Sequence, residues 1–426
     1  MPDKKKIMPD HMPAMLSIFK GASINLFGTA GHLILVFGYS IFLARVLPPH
    51  DLGLYFLGFT VLSFLVVGSL MGMDLTIWRF VSLYMGEGSP ERARGVVRSA
   101  FFVAFVASLI IGIVWFIGSD WLGNVVFHDE DLGLVFKIFA FALPLMVLAR
   151  VFNAATQGLK IMHYQVLSKD IGEQVSKFVL SAFLLSFGLI GILFANVIAG
   201  AISMTIAFLF LQKKLSIFGR VEKSDSYLRV VAAYSLPLTF STIFNSMLVW
   251  INIWLVGFFR SPDEVGLFSI ASRVAIFGTL VLCSFNTMFS PIIADLYNRN
   301  EVDRLRILFR FVTKWIIIFS TPVFLFVVLF ADPVLKLFGK EYVLAATSLI
   351  ILAVGQFINS ATGPVAGMVL MSGHPRIDLI NNSAALALNV VLSMILIPRW
   401  GIEGAAVASA ITAASVNIVR ALQVFV

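Results

Sequence analysis

Long apolar segments recur from one end of the chain to the other, separated by short polar ones. Runs such as FFVAFVASLIIGIVWFIG and WIIIFSTPVFLFVVLF approach the ~20 apolar residues that a helix needs to cross a ~30 Å hydrocarbon core. Hydropathy places spans near residues 20–46, 53–85, 96–119, 133–160, 165–187, 189–212, 231–258, 265–296, 308–331, 343–371, 377–398 and 402–425. The pattern predicts an all-α membrane protein of about 12 transmembrane helices.

Composition supports the same class of protein. Apolar residues make up 59% of the chain and charged residues only 13%, with a mean hydropathy of +0.96, whereas soluble domains average about 25% charged residues. The net charge of +8 could indicate a nucleic-acid partner. No basic cluster alternates with aromatic residues, however, so we expect no nucleic-acid binding.

The basic residues are concentrated in every second loop. One set of loops carries most of the lysines and arginines, and by the positive-inside rule it faces the cytoplasm. We therefore expect a multi-pass protein of the cell (plasma) membrane with both termini in the cytoplasm. The short loops leave no room for a separate catalytic domain, which usually needs about 50 residues or more. No Walker or zinc motif occurs either, so we predict neither an enzyme nor a bound cofactor.

Two halves of the chain repeat each other. Pro49–Tyr55 (PHDLGLY) aligns with Pro262–Phe268 (PDEVGLF) at an offset of 213 residues, and the Gly-x-x-Gly pair at Gly188 matches the one at Gly401 at the same offset. Because six spans are an even number, both halves enter the membrane in the same direction, as parallel repeats do. We predict an N-terminal six-helix bundle over residues 1–212, a cytoplasmic linker over 213–230 and a C-terminal six-helix bundle over 231–426, arranged around a central cavity.

These motifs resemble a known family. The run Leu396–Ala406 (LIPRWGIEGAA), the segment Ser372–Pro375 (SGHP) and the repeated Pro turns are similar to the polysaccharide exporter and O-antigen flippase branch of the multidrug/oligosaccharidyl-lipid/polysaccharide superfamily. The resemblance implies alternating access and movement of a polyprenyl-pyrophosphate-linked oligosaccharide from the cytoplasmic to the outer leaflet. It also implies other polysaccharide-assembly membrane proteins as partners. A cation-coupled drug exporter of the same fold, with H⁺ or Na⁺ as coupling ion, is the alternative.

Polar residues within spans are the candidates for the site, because they are costly in lipid and usually face a cavity or each other. Lys169, Glu173 and Lys177 stand at i, i+4 and i+8, so Glu173 can neutralise one lysine and leave another available. Asp378 and Asn382 occupy matching positions at an offset of 209. The full set of predicted substrate-binding residues is Lys177, Arg273, Lys169, Glu173, His32, Asn25, Asn245, Asn252, Asp378, Asn382, Asn389 and Arg79.

Two interpretations of this set remain open. Lysine and arginine would hold a pyrophosphate by charge-assisted hydrogen bonds, while the amides would meet sugar hydroxyls. Alternatively, the charges form structural ion pairs, His32 is a packing residue, Arg79 reaches the headgroups, and the asparagines join helices at about 0.6 kcal/mol each.

Overall fold

A computed structural model describes residues 31–159, 164, 166–220, 226–299, 301–371 and 375–425. In this part of the chain the regular structure is entirely helical, and we number the α-helices in chain order. They are α1 (Gly31–Val46), α2 (Pro49–Leu70), α3 (Met73–Gly86), α4 (Pro90–Trp121), α5 (Glu130–Gly158), α6 (Glu173–Phe183), α7 (Gly188–Leu215), α8 (Ser226–Phe259), α9 (Pro262–Ala275), α10 (Leu280–Asn298), α11 (Val302–Leu329), α12 (Ala331–Lys336), α13 (Ala346–Ala361), α14 (Val365–Met371) and α15 (Pro375–Phe425).

Many of these helices are long and apolar enough to cross a bilayer. Nine stretches of the described chain meet that criterion by length and composition, and the shorter Gly31–Val46 is also apolar. The last stretch holds two passes, because the 51 residues of α15 are interrupted at Gly401 and a helix of that length would measure about 75 Å. The predicted all-α fold with about twelve spans is confirmed.

The repeated Gly-x-x-Gly pairs have the same backbone geometry in both halves. Gly188 has φ 59° and ψ −138°, and Gly401 has φ 57° and ψ −134°, a region open almost only to glycine. A Cβ atom on Gly191 or Gly404 would lie 2.1 or 2.3 Å from a backbone carbonyl oxygen of the preceding segment. The first glycine of each pair therefore makes a sharp turn, and the second lies against the backbone of the preceding segment. A larger residue fits at neither position.

The repeated Pro turns pack against each other. A Cβ atom on Gly53 would lie 1.8 Å from the carbonyl oxygen of Pro262, and one on Gly266 would lie 2.4 Å from the carbonyl oxygen of Pro49. Each proline begins a helix, α2 or α9, and each glycine lies one turn further along. The repeated segments therefore make a reciprocal contact, in which the backbone at the start of α2 touches the backbone at the start of α9.

Three predicted spans are broken rather than continuous. The span predicted at 53–85 divides into α2 and α3 at Met71 and Gly72, which both have positive φ. The span predicted at 265–296 passes through a 3-10 turn at Ile276–Thr279, and the one at 343–371 breaks around Gly363, which has φ 75°. Hydropathy depends on apolar content and not on backbone direction. The hydropathy prediction therefore treated each pair of helices as one continuous span.

The described chain forms two compact units. The first contains residues 31–39, Leu65–Asp120 and Gly133–Thr242, and the second contains Ser40–Phe64, Trp121–Leu132 and the described residues from Ile243 onward. The second unit has a core in which Phe289 and Ile293 of α10 pack with Phe309 and Ile316 of α11. The predicted bundle boundaries at 212 and 231 follow the sequence repeat and stay a prediction.

Candidate functional site

A group of charged side chains lies at the start of α6 and on α5 in the first unit. The Lys177 Nζ atom is 2.7 Å from the Glu173 Oε1 atom, and the two side chains are only 5% and 15% exposed. The positive charges of Arg150 and Lys169 also act on the Glu173 carboxylate. We call Arg150, Lys169, Glu173 and Lys177 the first-unit cluster. Among the described side chains, the cluster contains three cations and one carboxylate, a formal net charge of about +2.

An irregular helix positions this cluster. Residues Val166–Gly172 form a π-helix that leads directly into α6, and π-turns inside longer helices are frequent at functional sites. A Cβ atom on Gly172 would lie 2.3 Å from the Leu167 carbonyl oxygen, so the wide turn requires glycine there. Lys169 lies on this π-turn and is exposed, whereas Lys177, about one turn into α6, is buried.

Uncharged polar groups surround the same segment. The Ser168 hydroxyl bonds the Asn153 side chain, and the Ser203 hydroxyl donates to the Ser168 carbonyl oxygen at 3.1 Å. Further along α6, the Ser181 and Tyr39 hydroxyls are 2.9 Å apart. The polar face of the segment Val166–Phe183 therefore has hydrogen-bonding neighbours on α5, α7 and α1.

The matching stripe of the second unit is electrically neutral. Arg420 Nη2 is 2.7 Å from the Asp378 Oδ1 atom and 2.7 Å from the Asn382 Oδ1 atom, and the Asn382 amide donates to Asp378 at 3.0 Å. These bonds join the two segments of α15 on either side of Gly401. Asp378 and Asn382 were predicted from the sequence, whereas Arg420, whose partner is 42 residues away along the chain, was not.

The remaining candidates of the second unit are bound to neighbouring helices. Arg273 donates to the Ser40 hydroxyl at 3.3 Å, and its guanidinium carbon lies 4.5 Å from the centre of the Phe56 ring. Asn252 accepts from the Ser393 hydroxyl and donates to the Ser409 hydroxyl, both at 2.8 Å. Asn389 donates to the Thr412 hydroxyl at 3.3 Å, and Asn245 is exposed.

Two of the other first-unit candidates are on described helices. Arg79 is exposed, donates to the Tyr234 hydroxyl at 2.6 Å and lies 4.6 Å from the centre of that ring. His32 is half-buried on α1. Asn25 lies outside the described residues. Within the described chain no three His, Cys, Asp or Glu residues are grouped closely enough to hold a metal ion.

The fold matches that of solved transporters. A multidrug resistance MATE family transporter of the MOP superfamily, in an inward-facing conformation, superposes with a TM-score of 0.78 at 16% identity, covering 92% of this chain and 94% of the other. The lipid II flippase MurJ, in an inward closed conformation, superposes with a TM-score of 0.75 at 14% identity, covering 95% and 87%. The fold is therefore that of a multi-pass transporter of this superfamily.

The family follows from sequence comparison. The model of the family described as polysaccharide biosynthesis protein matches residues 18–297, and the MatE model matches residues 237–395. Because the first match covers more than half of the chain, this protein belongs to the polysaccharide biosynthesis protein family, among the polysaccharide exporters and flippases. The predicted family is confirmed.

Curated relatives agree with this placement. The "Putative O-antigen transporter" of Shigella flexneri is 22% identical over 408 residues, covering 92% of this chain and 94% of the relative. The "Probable low-salt glycan biosynthesis flippase Agl15" of Haloferax volcanii is 26% identical over 190 residues, covering 44% and 40%. Each is a protein to which this chain is similar.

Proposed function

We propose that this protein flips a polyprenyl-pyrophosphate-linked oligosaccharide from the cytoplasmic to the outer leaflet by alternating access, and that the first-unit cluster binds the pyrophosphate. The observation that supports this most directly is the surplus of positive charge among the described side chains around the buried Lys177–Glu173 pair. Arg150 and Lys169 add positive charge, and Glu173 is the one carboxylate described in this cluster.

The physical reason for the assignment is the cost of unbalanced charge in a low-dielectric region. Intramembrane cations usually pair or face a water-filled pathway, and a surplus of them creates an attractive site for an anion. A pyrophosphate carries at least two negative charges, and its oxygens accept charge-assisted hydrogen bonds from lysine and arginine.

The most direct experiment measures transbilayer movement in proteoliposomes. A fluorescent polyprenyl-pyrophosphate oligosaccharide is placed in both leaflets, and its accessibility to an added quencher is followed with wild-type protein and with Lys169→Gln. Lys169 is exposed and has no ion pair among the described residues, so its loss should leave the fold intact. One charged hydrogen bond contributes about 1.5–3 kcal/mol, and we expect flipping to slow by about tenfold or more.

A matched control removes an equivalent charge elsewhere. Arg299 forms an exposed ion pair with Asp295 at 2.9 Å on the loop end of α10, and Arg299→Gln should flip at the wild-type rate because exposed pairs contribute little. Folded wild-type protein that moves no lipid-linked glycan would count against the function. Equal rates for wild type and Lys169→Gln would keep the function and remove Lys169 from the site.

A second candidate function is cation-coupled export of a small molecule. The match of the MatE model to residues 237–395 and the MATE-like fold favour it. Such an exporter needs carboxylates that can exchange a coupling ion. The two deep carboxylates predicted from sequence, Glu173 and Asp378, both have cation partners, so this function ranks second. Proton-driven efflux of a cationic dye from proteoliposomes would promote it.

The setting of the proposed function follows from the charge pattern of the loops. We place the protein in the plasma membrane with both termini in the cytoplasm, since one set of loops is rich in lysine and arginine. Transport without a nucleotide motif requires an ion gradient, with H⁺ or Na⁺ as coupling ion, or consumption of the glycan by other assembly proteins. The protein is then a transporter and not an enzyme, with the two bundles divided at residues 213–230.

A further inference from the structure

A cavity of about 490 Å³ lies in the second unit, against one face of α11. Its wall on α11 is formed by residues at helical spacing, and residues at the end of α13 and in the last part of α15 line the other side. The lining residues are Phe309, Arg310, Thr313, Lys314, Ile317, Ile318, Ala361, Thr362 and Ala421. Ligand pockets commonly have volumes of about 300–1,000 Å³. The cavity is thus large enough for a ligand, and its walls are largely apolar.

The two basic residues of the cavity lack the partners that neighbouring arginines have. Nearer the start of α11, Arg304 bonds Glu301 at 2.6 Å and Arg306 is 3.6 Å from Asp303. Arg310 and Lys314, one and two turns further on, form no ion pair or hydrogen bond with any described residue. The buried Thr313 hydroxyl between them also lacks a partner within the described chain.

The position of these exposed cations along α11 favours a site for an external anion. The apolar part of the helix runs from Phe311 to Leu329, which is about 28 Å and matches the hydrocarbon thickness. Arg310 then lies at the edge of the hydrocarbon core, and Lys314 lies about one turn inside it. Exposed Phe311 and Trp315 stand beside them, as residues in contact with lipid do.

We propose that this cavity binds one anionic phospholipid of the cytoplasmic leaflet. The phosphate lies between Arg310 and Lys314, and the first part of an acyl chain occupies the apolar wall formed by Ile317, Ile318 and Ala421. Basic pockets between helices near the cytoplasmic surface hold anionic headgroups in this way. The site is in the second unit and needs no residue of the first-unit cluster, so it is independent of the proposed transport function.

The test is lipid binding to the purified full-length protein, measured by native mass spectrometry. Phosphatidylglycerol is titrated against phosphatidylcholine with wild type, with Arg310→Gln/Lys314→Gln and with Arg304→Gln/Arg306→Gln. The last variant removes the same charge from the same helix outside the cavity. Loss of two basic contacts should raise the apparent Kd for phosphatidylglycerol about thirtyfold, or about 2 kcal/mol at 1.4 kcal/mol per tenfold change, and the control should stay within about threefold of wild type.

A second variant separates charge from shape. Ala421→Phe fills the apolar wall and keeps both cations, and it should also weaken phosphatidylglycerol binding. Equal lipid affinity of wild type and Arg310→Gln/Lys314→Gln, or equal losses in the two double variants, would overturn the site. Displacement of the lipid by inorganic phosphate alone, or tighter binding of a polyprenyl phosphate than of phosphatidylglycerol, would overturn the phospholipid as its occupant.

Discussion

The role of Lys177 can be separated into a structural part and a transport part by a double-mutant cycle with Glu173. Lys177→Met leaves the Glu173 carboxylate buried without its bonded partner. Breaking a buried pair in this way costs about 3–5 kcal/mol, and the charges of Arg150 and Lys169 place the expected loss at the lower end, near 3 kcal/mol. Glu173→Gln/Lys177→Met removes both charges and should regain most of that stability.

The double-mutant cycle also tests transport, because the double variant keeps the net charge of the wild-type cluster. The wild-type cluster has three cations and one carboxylate, a net charge of +2, and the double variant has two cations and no carboxylate, again +2. If Lys177 contacts the pyrophosphate, the double variant should be stable but should flip lipid-linked glycan about tenfold more slowly or worse.

Two measurements complete this test. Thermal unfolding in detergent reports stability, and quencher accessibility in proteoliposomes reports flipping. A double variant that is as stable and as active as wild type would refute the reasoning, because Lys177 would then be no more than the partner of Glu173. A single variant Lys177→Met with wild-type stability would contradict the buried ion pair itself.

Three further substitutions test the fold around the site, each measured by thermal unfolding in detergent. Gly401→Ala should lower the free energy of unfolding by about 1–3 kcal/mol, because its φ of 57° and ψ of −134° suit only glycine. Gly118→Ala is the control and should be neutral or stabilising, because the added Cβ atom would meet open space. Gly53→Ala should cost about 1–3 kcal/mol or more, since the added Cβ would meet a backbone oxygen at 1.8 Å. Asp378→Asn should cost about 3 kcal/mol, and Asp378→Asn/Arg420→Gln should recover stability. A neutral Gly401→Ala, a neutral Gly53→Ala or an uncoupled Asp378–Arg420 pair would each contradict the corresponding contact.

The main features of the fold were predictable from sequence because hydrophobic length and the internal repeat are properties of the chain itself. The offset of 213 residues correctly paired Gly188 with Gly401 and Gly53 with Gly266, and the structure shows what each pair does. The breaks at Met71 and Gly363 were not predicted, because a hydropathy window averages over a change of backbone direction. The Gly363-Pro364 dipeptide was the one local signal of a break.

The contacts between the charged side chains were predicted in part. The spacing of Glu173 and Lys177 predicted their ion pair, because residues four positions apart on a helix are neighbours. The cations that complete or balance the two charged groups, Arg150 and Arg420, were missed. Each lies on a different span or helix segment from the carboxylate that it faces, and a single sequence carries no signal of which face of one helix meets which face of another.

The equivalent polar positions of the two halves differ in charge. At an offset of 209 residues Lys169 corresponds to Asp378 and Glu173 to Asn382, so the repeat preserves polarity at these positions but not charge. In the second unit Arg420 neutralises Asp378 within one ion pair, while in the first unit Glu173 balances only one of three cations. A repeated scaffold that binds one anion needs its positive charge in one place only, since a second surplus would cost stability without adding a bond to the same pyrophosphate. Under the proposed function, the neutral group of Asp378, Asn382 and Arg420 joins helix segments, and the first-unit cluster is the proposed pyrophosphate site.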